Sequence, residues 1–472
     1  MGWLRERRPL PGPGGGGVGG LWDPERRALT TGLVLTVTFV ASEALAVVTI
    51  MPQISRDLGG IHLYGWVFSA FLLGSMIGIV AAGREADRSG PARPYVAGVV
   101  LFAAGLLVAG LAPSMVVLVV GRALQGLGAG AIPAVAYVAI GRALPELLRA
   151  RMMAVLSTAW VVPGIVAPLI SAGVAHVFGW RWVFLGLLPL VALTGLLALP
   201  GLAQLGRPCS LPQVEHRLVD AVRVAVGTAL FLGGLTVGRT VVAIAFVVLG
   251  MVTLLPSLRR LLPVGTLRAR QGLPTTILSR GLLTFAFFGA DAFVTLAIVT
   301  VRHHSVAAAG VVVTGSTLAW AAGAWIQARL NARWEGRRLV RVGLSLVLAG
   351  AAGMIVVLHP GVPLAVALVA WMLAGLGMGL AYAPISLMML REAPDGREGW
   401  ASASLSLSDV LGSALGAGLG GAGIAASALR GWSLATGLTF AFALPAGVAV
   451  VALAVSGRLP MRDLGTAAGG AD

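Results

Sequence analysis

The sequence predicts an all-α integral membrane protein with fourteen spanning helices. Three observations carry that expectation. Of 472 residues, 57% are hydrophobic and 11% charged, with a mean hydropathy of +0.92; this leaves too little polar surface for a soluble fold and too much apolar sequence for a disordered chain. Fourteen apolar runs are long enough, at 1.5 Å per helical residue, to cross a hydrocarbon core about 30 Å thick. Finally, arginine alternates from loop to loop, as it does when successive loops lie on opposite sides of a bilayer.

The expected spans are 29–50, 64–83, 95–112, 115–140, 152–177, 182–203, 218–237, 240–257, 275–301, 306–328, 339–358, 363–389, 400–426 and 432–456. Residues 1–28 precede them as a Gly/Pro/Arg-rich tail, and 458–472 follow as a second tail. The run at 29–50 is too long for a signal-peptide core and reads as a retained first helix. An even number of spans puts both tails on one side. That side receives 27 arginines, whereas Arg56, Arg181, Arg239, Arg302 and Arg430 fall on the other and Arg122 and Arg280 lie inside spans. The positive-inside rule then expects both termini in the cytoplasm, with the protein in the cell membrane.

The net charge of +16 is thus a feature of topology. The arginines form no patch with interleaved aromatics, so no nucleic-acid partner is expected. Cys209, the single cysteine, cannot form an intrachain disulfide and falls in an expected cytoplasmic loop. No Walker loop can be completed without a lysine, and no cofactor or metal site is expected; energy for any transport would come from a gradient.

Five spans and one loop carry residues that lipid contact does not explain. In the first span, ASEALAVVTIMPQI (41–54) buries Glu43 nine residues before Pro52. The loop after the second span reads GREADRSGPAR (83–93), with Gly83, Asp87, Arg88, Gly90 and Arg93. There Gly83 lets helices approach, Gly90 permits a tight reversal, and Asp87 can face a helix N-terminus or a neighbouring arginine. The fourth span holds Arg122, a permanent charge that needs a partner or an aqueous cavity, within RALQGLGAG (122–130); Gln125, Gly126 and Gly128 there suit close helix packing. The fifth span, VVPGIVAPLISAG (161–173), combines Gly164 and Pro168 in a bent, small-residue helix. In the ninth, Arg280, Thr284, Phe287 and Asp291 recur at helical spacing, with Phe288 alongside, and form a candidate cavity face. Asp409 lies among serines and glycines in 404–421, where packing and transport are equally good accounts.

These motifs resemble those of the major facilitator superfamily. The 83–93 loop is similar to its G-x-x-x-D-R-x-G-R-[RK] signature at Gly83, Asp87, Arg88 and Gly90, although Pro91 and Ala92 replace basic residues. Segment 122–130 resembles R-x-x-q-G-x-G-a. The first span resembles the L-D-x-T-x(5)-L-P-x-I pattern of the fourteen-helix drug/proton antiporter branch, with Glu43 in place of Asp and Leu45 in place of Thr. The fifth span matches G-x-x-x-G-P-x-x-G-G only at Pro168, and GWRWVFL (179–185) resembles the same branch, although Trp180 and Trp182 equally suit an interfacial belt.

The resemblance implies a major facilitator fold: a six-helix bundle at 29–204, two inserted helices at 205–262, and a second six-helix bundle at 263–457, whose 328–338 loop repeats the 83–93 loop without its Asp. It implies a transporter acting by alternating access, with proton-coupled efflux of amphipathic small molecules the expected activity and a monomer the expected unit. Glu43, Arg122, Asp291 and Asp409 are then the candidate coupling and substrate residues, and 83–93 the gating loop. Glu43 remains equally readable as a packing acid. A lipid or metabolite exporter is the nearest alternative, and a non-transporting receptor or scaffold the alternative of a different class.

Overall fold

In the computed structural model, 20–460 are described except for 25, 145, 207–215, 239, 332 and 395–396. Cys209 and most of both tails therefore lie outside the described residues. The helices are α1 (Arg27–Leu58), α2 (Tyr64–Ser89), α3 (Ala92–Gly110), α4 (Met115–Ala143), α5 (Glu146–Val177), α6 (Arg181–Leu185), α7 (Leu188–Gln204), α8 (His216–Thr236), α9 (Thr240–Leu261), α10 (Leu273–Leu296), α11 (Val306–Leu330), α12 (Gly336–Val357), α13 (Leu364–Glu392), α14 (Glu398–Leu429) and α15 (Leu434–Val455). Short α6 and α7 together make one span, and a π-helical turn extends α10 to Val301.

Thirteen of these elements are long and apolar enough to cross a membrane among the described residues. The fifth, α5, is 32 residues long, and its Val162–Val177 portion is apolar. With it the helices follow the fourteen predicted runs in order.

Several boundaries differ from the sequence expectation, most of all after the second span. Segment 83–93 is mostly helix: α2 continues through Ser89, and the turn is confined to Gly90 and Pro91. Ala, Glu and Arg are strong helix formers, and nothing breaks the helix before Gly90, whose φ of 87° suits glycine. α1 likewise runs on past Pro52 to Leu58.

The helices pack in the same pairwise order twice. In the first bundle α4 packs on α2 and α3, and α1 on α5 and α7; in the second α13 packs on α11 and α12, and α10 on α14 and α15. Inserted α8 and α9 pack on each other, and α8 also touches α2 and α14. Small residues make the close approaches possible. A Cβ at Gly126 or Gly130 would collide with α2 backbone, at Phe71 O and Ser75 O, and one at Gly128 with Gly98 O on α3. Gly126 and Gly128 therefore lie where the α4 backbone meets α2 and α3 with no room for a side chain.

Between the bundles, the contacts cluster at mid-depth and toward the face away from the termini. Ser69 donates to Ala414 O (2.9 Å), Thr295 to Val48 O (2.6 Å) and Thr314 to Ile165 O (3.5 Å). Gly65 sits on the α14 backbone, where a Cβ would lie 2.6 Å from Ala417 O and 2.7 Å from Gly421 Cα. Gly164 faces Thr317 of α11, and Pro168, inside α5, lies with its carbonyl beside Gly310. These residues join α5 to the other bundle, so their small size serves the interface between bundles.

Candidate functional site

The first bundle holds a buried polar cluster made by α1 and α4. Glu43 on α1 has no exposed surface, and Arg122 on α4 is 2% exposed. Arg122 Nη1 donates to Glu43 Oε1 and to Gln125 Oε1 (2.9 Å), while Gln125 Nε2 donates to the same Glu43 oxygen at 3.1 Å. Arg122 Nε donates to Val67 O on α2 (3.3 Å), and its guanidinium lies 4.2 Å from the centre of the Phe71 ring. The second carboxylate oxygen, Glu43 Oε2, is buried with no hydrogen-bond partner. A permanent cation inside a membrane needs a counter-charge, and Glu43 supplies it. Gln125, read from the sequence as packing, is one helical turn from Arg122 and forms the third member of the cluster.

The second bundle carries a different site between α10, α11, α13 and α14. Asp291 accepts from Trp371 Nε1 at 2.9 Å, and Asp409 accepts from the Tyr382 hydroxyl at 2.6 Å. Arg280 donates to Ser386, and its guanidinium lies 3.4 Å from the centre of the Tyr382 ring, a close cation–π contact. Its Nε and Nη1 are buried without partners. Phe287 stacks on Trp371, with centroids 5.4 Å apart, and meets Phe288 and Trp320 edge-on. Trp320 then touches Tyr382 at 5.8 Å. Asp291, Asp409, Phe288, Trp320 and Tyr382 are half-buried, so this aromatic and acidic surface is partly open.

The face predicted for α10 divides. Arg280, Phe287 and Asp291 do lie together against α13. Thr284 does not belong to an open surface: it is fully buried and donates to Asp409 O of α14 at 2.9 Å. Phe287 is likewise only 4% exposed, held inside the ring cluster. Both corrections have one cause, because the bundle wraps α10 with α13 on one side and α14 on the other, and helical spacing alone cannot show how wide the free sector is. The sequence reading also missed Trp320, Trp371, Tyr382 and Ser386. A signal for two of them was present: Trp371 and Tyr382 are eleven residues apart on α13, as are Arg280 and Asp291 on α10, and antiparallel helices in register bring such pairs together.

At the end of α2, Asp87 is exposed and lies 3.6 Å from Arg142 Nη2 at the end of α4. The expected pairing with a neighbouring arginine therefore occurs within one bundle. Arg88 and Arg93 are exposed, and open space surrounds Gly83, so the close helix approach expected there is absent from this conformation. Of Trp180 and Trp182, for which a branch motif and an interfacial belt are equally good readings, Trp180 is 1% exposed and donates to Asp57 (2.8 Å), and Trp182 is 55% exposed. A tryptophan N–H with a carboxylate partner can be buried, and that decides the difference.

A sequence model described as the Major Facilitator Superfamily matches residues 29–417. The chain belongs to that superfamily and is a membrane transporter of its kind. A probable multidrug-efflux transporter of Mycobacterium tuberculosis is 27% identical over 448 residues, covering 90% of this chain and 94% of its own. An uncharacterized transporter of Escherichia coli, YebQ, is 26% identical over 421 residues, covering 85% and 89%. Among solved structures, a peptide transporter, POT, in complex with alafosfalin superposes with a TM-score of 0.67 at 16% identity, covering 91% of this chain and 94% of that one. A D-xylose–proton symporter gives 0.62 at 14% identity, covering 91% and 96%. At such identities the structures speak to the fold alone.

Proposed function

We propose that the protein exports amphipathic small molecules across the cell membrane in exchange for protons, with both termini in the cytoplasm. The observation that carries this reading is the Glu43–Arg122–Gln125 cluster. A carboxylate wholly removed from water, tied to a fixed cation through one oxygen and bare at the other, is a site that can hold either a negative charge or a proton. Protonation loosens its hold on Arg122, which also bonds to α2 through Val67 O, so a proton arriving at Glu43 changes the attachment of α1 to α2 and α4.

Asp291 and Asp409, with Phe288, Trp320 and Tyr382 beside them, supply the surface for substrate. Rings offer stacking area and attract cations, and the carboxylates add charge complementarity. The site holds two carboxylates to one guanidinium, and Arg280 lies about three helical turns from Asp291 on α10, which favours cationic over anionic compounds beside Asp291. The naming of the Mycobacterium relative as a probable multidrug-efflux transporter agrees with this reading. Inward proton movement down 100 mV yields about 2.3 kcal/mol per charge, enough for roughly a fiftyfold substrate gradient at one proton per neutral molecule.

Asp87 and Arg88, at the mouth of the cytoplasmic side, form the proposed gating segment. The contacts at Gly65, Ser69, Thr295 and Thr314 hold the opposite side together, so the conformation described is one closed on the external face. The deciding experiment uses the purified protein in proteoliposomes with a pH-sensitive dye inside. Substrate-dependent proton movement that is absent in Glu43→Gln supports the reading; transport that neither moves protons nor depends on Glu43 overturns it.

A further inference from the structure

Away from the central site, an apolar groove opens between α14 and α15 near the face opposite the termini. The ends of α12 and α8 wall it, and its volume is about 900 Å³. From Leu419 to Arg430 the α14 wall rises about 16 Å at 1.5 Å per residue. One leaflet of the hydrocarbon core is about 15 Å deep. The groove is therefore as long as one leaflet is thick.

Its chemistry changes along that length. The inner part is aliphatic and aromatic, with Leu419, Ala422, Ala443 and Phe440. Its mouth carries Arg430 and His359, and no carboxylate lines it among the described residues. Arg430 is exposed and lies 5.1 Å from the centre of the Trp432 ring. An Arg–Trp pair at the end of a spanning helix marks the headgroup level. Among the described residues, Arg302 also lies nearby, but it donates to His359 O and Val362 O and so fixes the rim, leaving Arg430 to meet a ligand.

We propose that this groove binds one anionic glycerophospholipid of the leaflet away from the termini, with its phosphate at Arg430 and His359 and an acyl chain along α14 and α15. The inference rests on the membrane-spanning fold and not on the proton-coupled reading. It has a mechanical consequence. Ala417 and Gly421 of α14 pack on Gly65 of α2, while Leu419, Ala422 and Gly423 of the same turns face the groove. A bound chain would brace α14 from behind in the conformation closed on that face.

Native mass spectrometry of the full-length protein, titrated with phosphatidylglycerol or with phosphatidylcholine of the same chains, tests this. The expected result is phosphatidylglycerol retention about fivefold tighter than phosphatidylcholine, as one arginine near the surface provides. Arg430→Gln removes that preference, and Ala426→Phe, which fills the groove, lowers retention of both lipids. Arg56→Gln, on the same face but outside the groove, behaves as the parent. A preference that survives in Arg430→Gln overturns the proposal, as does equal retention of the two lipids by the parent. A two-chain species that Ala426→Phe abolishes would make the groove a contact between copies and also overturn it. Arg430 is exposed, so its variant decides the matter even where Ala426→Phe fails to fold.

Discussion

Neutralising the two ends of the Glu43–Arg122 pair should have unequal costs. Glu43→Gln leaves a guanidinium 2% exposed, with hydrogen bonds to Val67 O and Gln125 and a ring contact with Phe71 but no counter-charge. Arginine cannot shed its proton, so the substitution should cost the full penalty for breaking a buried pair, about 3–5 kcal/mol. Arg122→Gln leaves a carboxyl group that can escape its charge by taking a proton, and Gln125 still donates to it. Its cost should be nearer the 1–3 kcal/mol of an unsatisfied polar group. The double variant removes both charges and keeps amide partners, so it should be more stable than Glu43→Gln alone, with a coupling of about 2–4 kcal/mol. Reversible unfolding in mixed micelles measures all four proteins. Equal single costs that add in the double variant, within about 0.5 kcal/mol, would refute the ion-pair reasoning.

Four further outcomes are expected. Glu43→Gln should abolish uphill, pH-driven export and spare downhill exchange; a variant that still concentrates substrate with normal pH dependence would move coupling to Asp291 or Asp409. Asp291→Asn should raise the half-saturating concentration of cationic substrates about tenfold, the scale of one lost charge contact in a partly dry site, and leave neutral ones within twofold; equal weakening of both classes in flux assays would count against its role. Asp87→Asn should reduce flux per folded molecule while leaving insertion intact, because a partly exposed pair such as Asp87–Arg142, 3.6 Å apart, contributes about 1 kcal/mol to stability. Gly65→Val should separate α2 from α14 and increase accessibility of the face away from the termini to an impermeant label, since its Cβ has no room beside Ala417 O; unchanged labelling would show that the two helices part without cost.

The fold was legible because its determinants are one-dimensional. Spanning length, apolar content and arginine alternation need no knowledge of neighbours, and each maps directly onto bilayer thickness and sidedness. Glu43 and Arg122 were legible for the same reason: a charge inside an apolar run is conspicuous wherever its partner lies. The partners were not. Gln125 looks like one more small-motif residue until Glu43 of another helix is placed 3.1 Å from it. Thr284 and Phe287 shared a predicted face with Asp291, yet α14 and α13 cover them, because the burial of a helix sector depends on which neighbours exist. The family motif presents 83–89 as loop, although its composition favours helix up to Gly90.

The two bundles repeat their packing but not their charges, and this asymmetry bears on how coupling works. α1 and α4 of the first bundle occupy the packing positions of α10 and α13 in the second. In the first, acid and arginine meet and neutralise each other, leaving Glu43 Oε2 buried without a hydrogen-bond partner. In the second, the arginine is on α10, its ring partner Tyr382 on α13, and the acid that Tyr382 holds is on α14. Arg280 thus keeps two unpartnered nitrogens, and Asp291 has only a tryptophan N–H. On the proposed reading, the closed pair suits a proton, which needs no space, whereas the dispersed charges and half-buried rings suit a larger cation. Proton and substrate would then occupy different bundles. Communication between them must pass through the interface, where Thr295 at the end of α10 donates to Val48 O, little more than one turn beyond Glu43 on α1. Thr295→Val should therefore weaken the dependence of export on pH while leaving substrate binding intact. Unchanged pH dependence in that variant would place the link elsewhere, at Ser69 or Thr314.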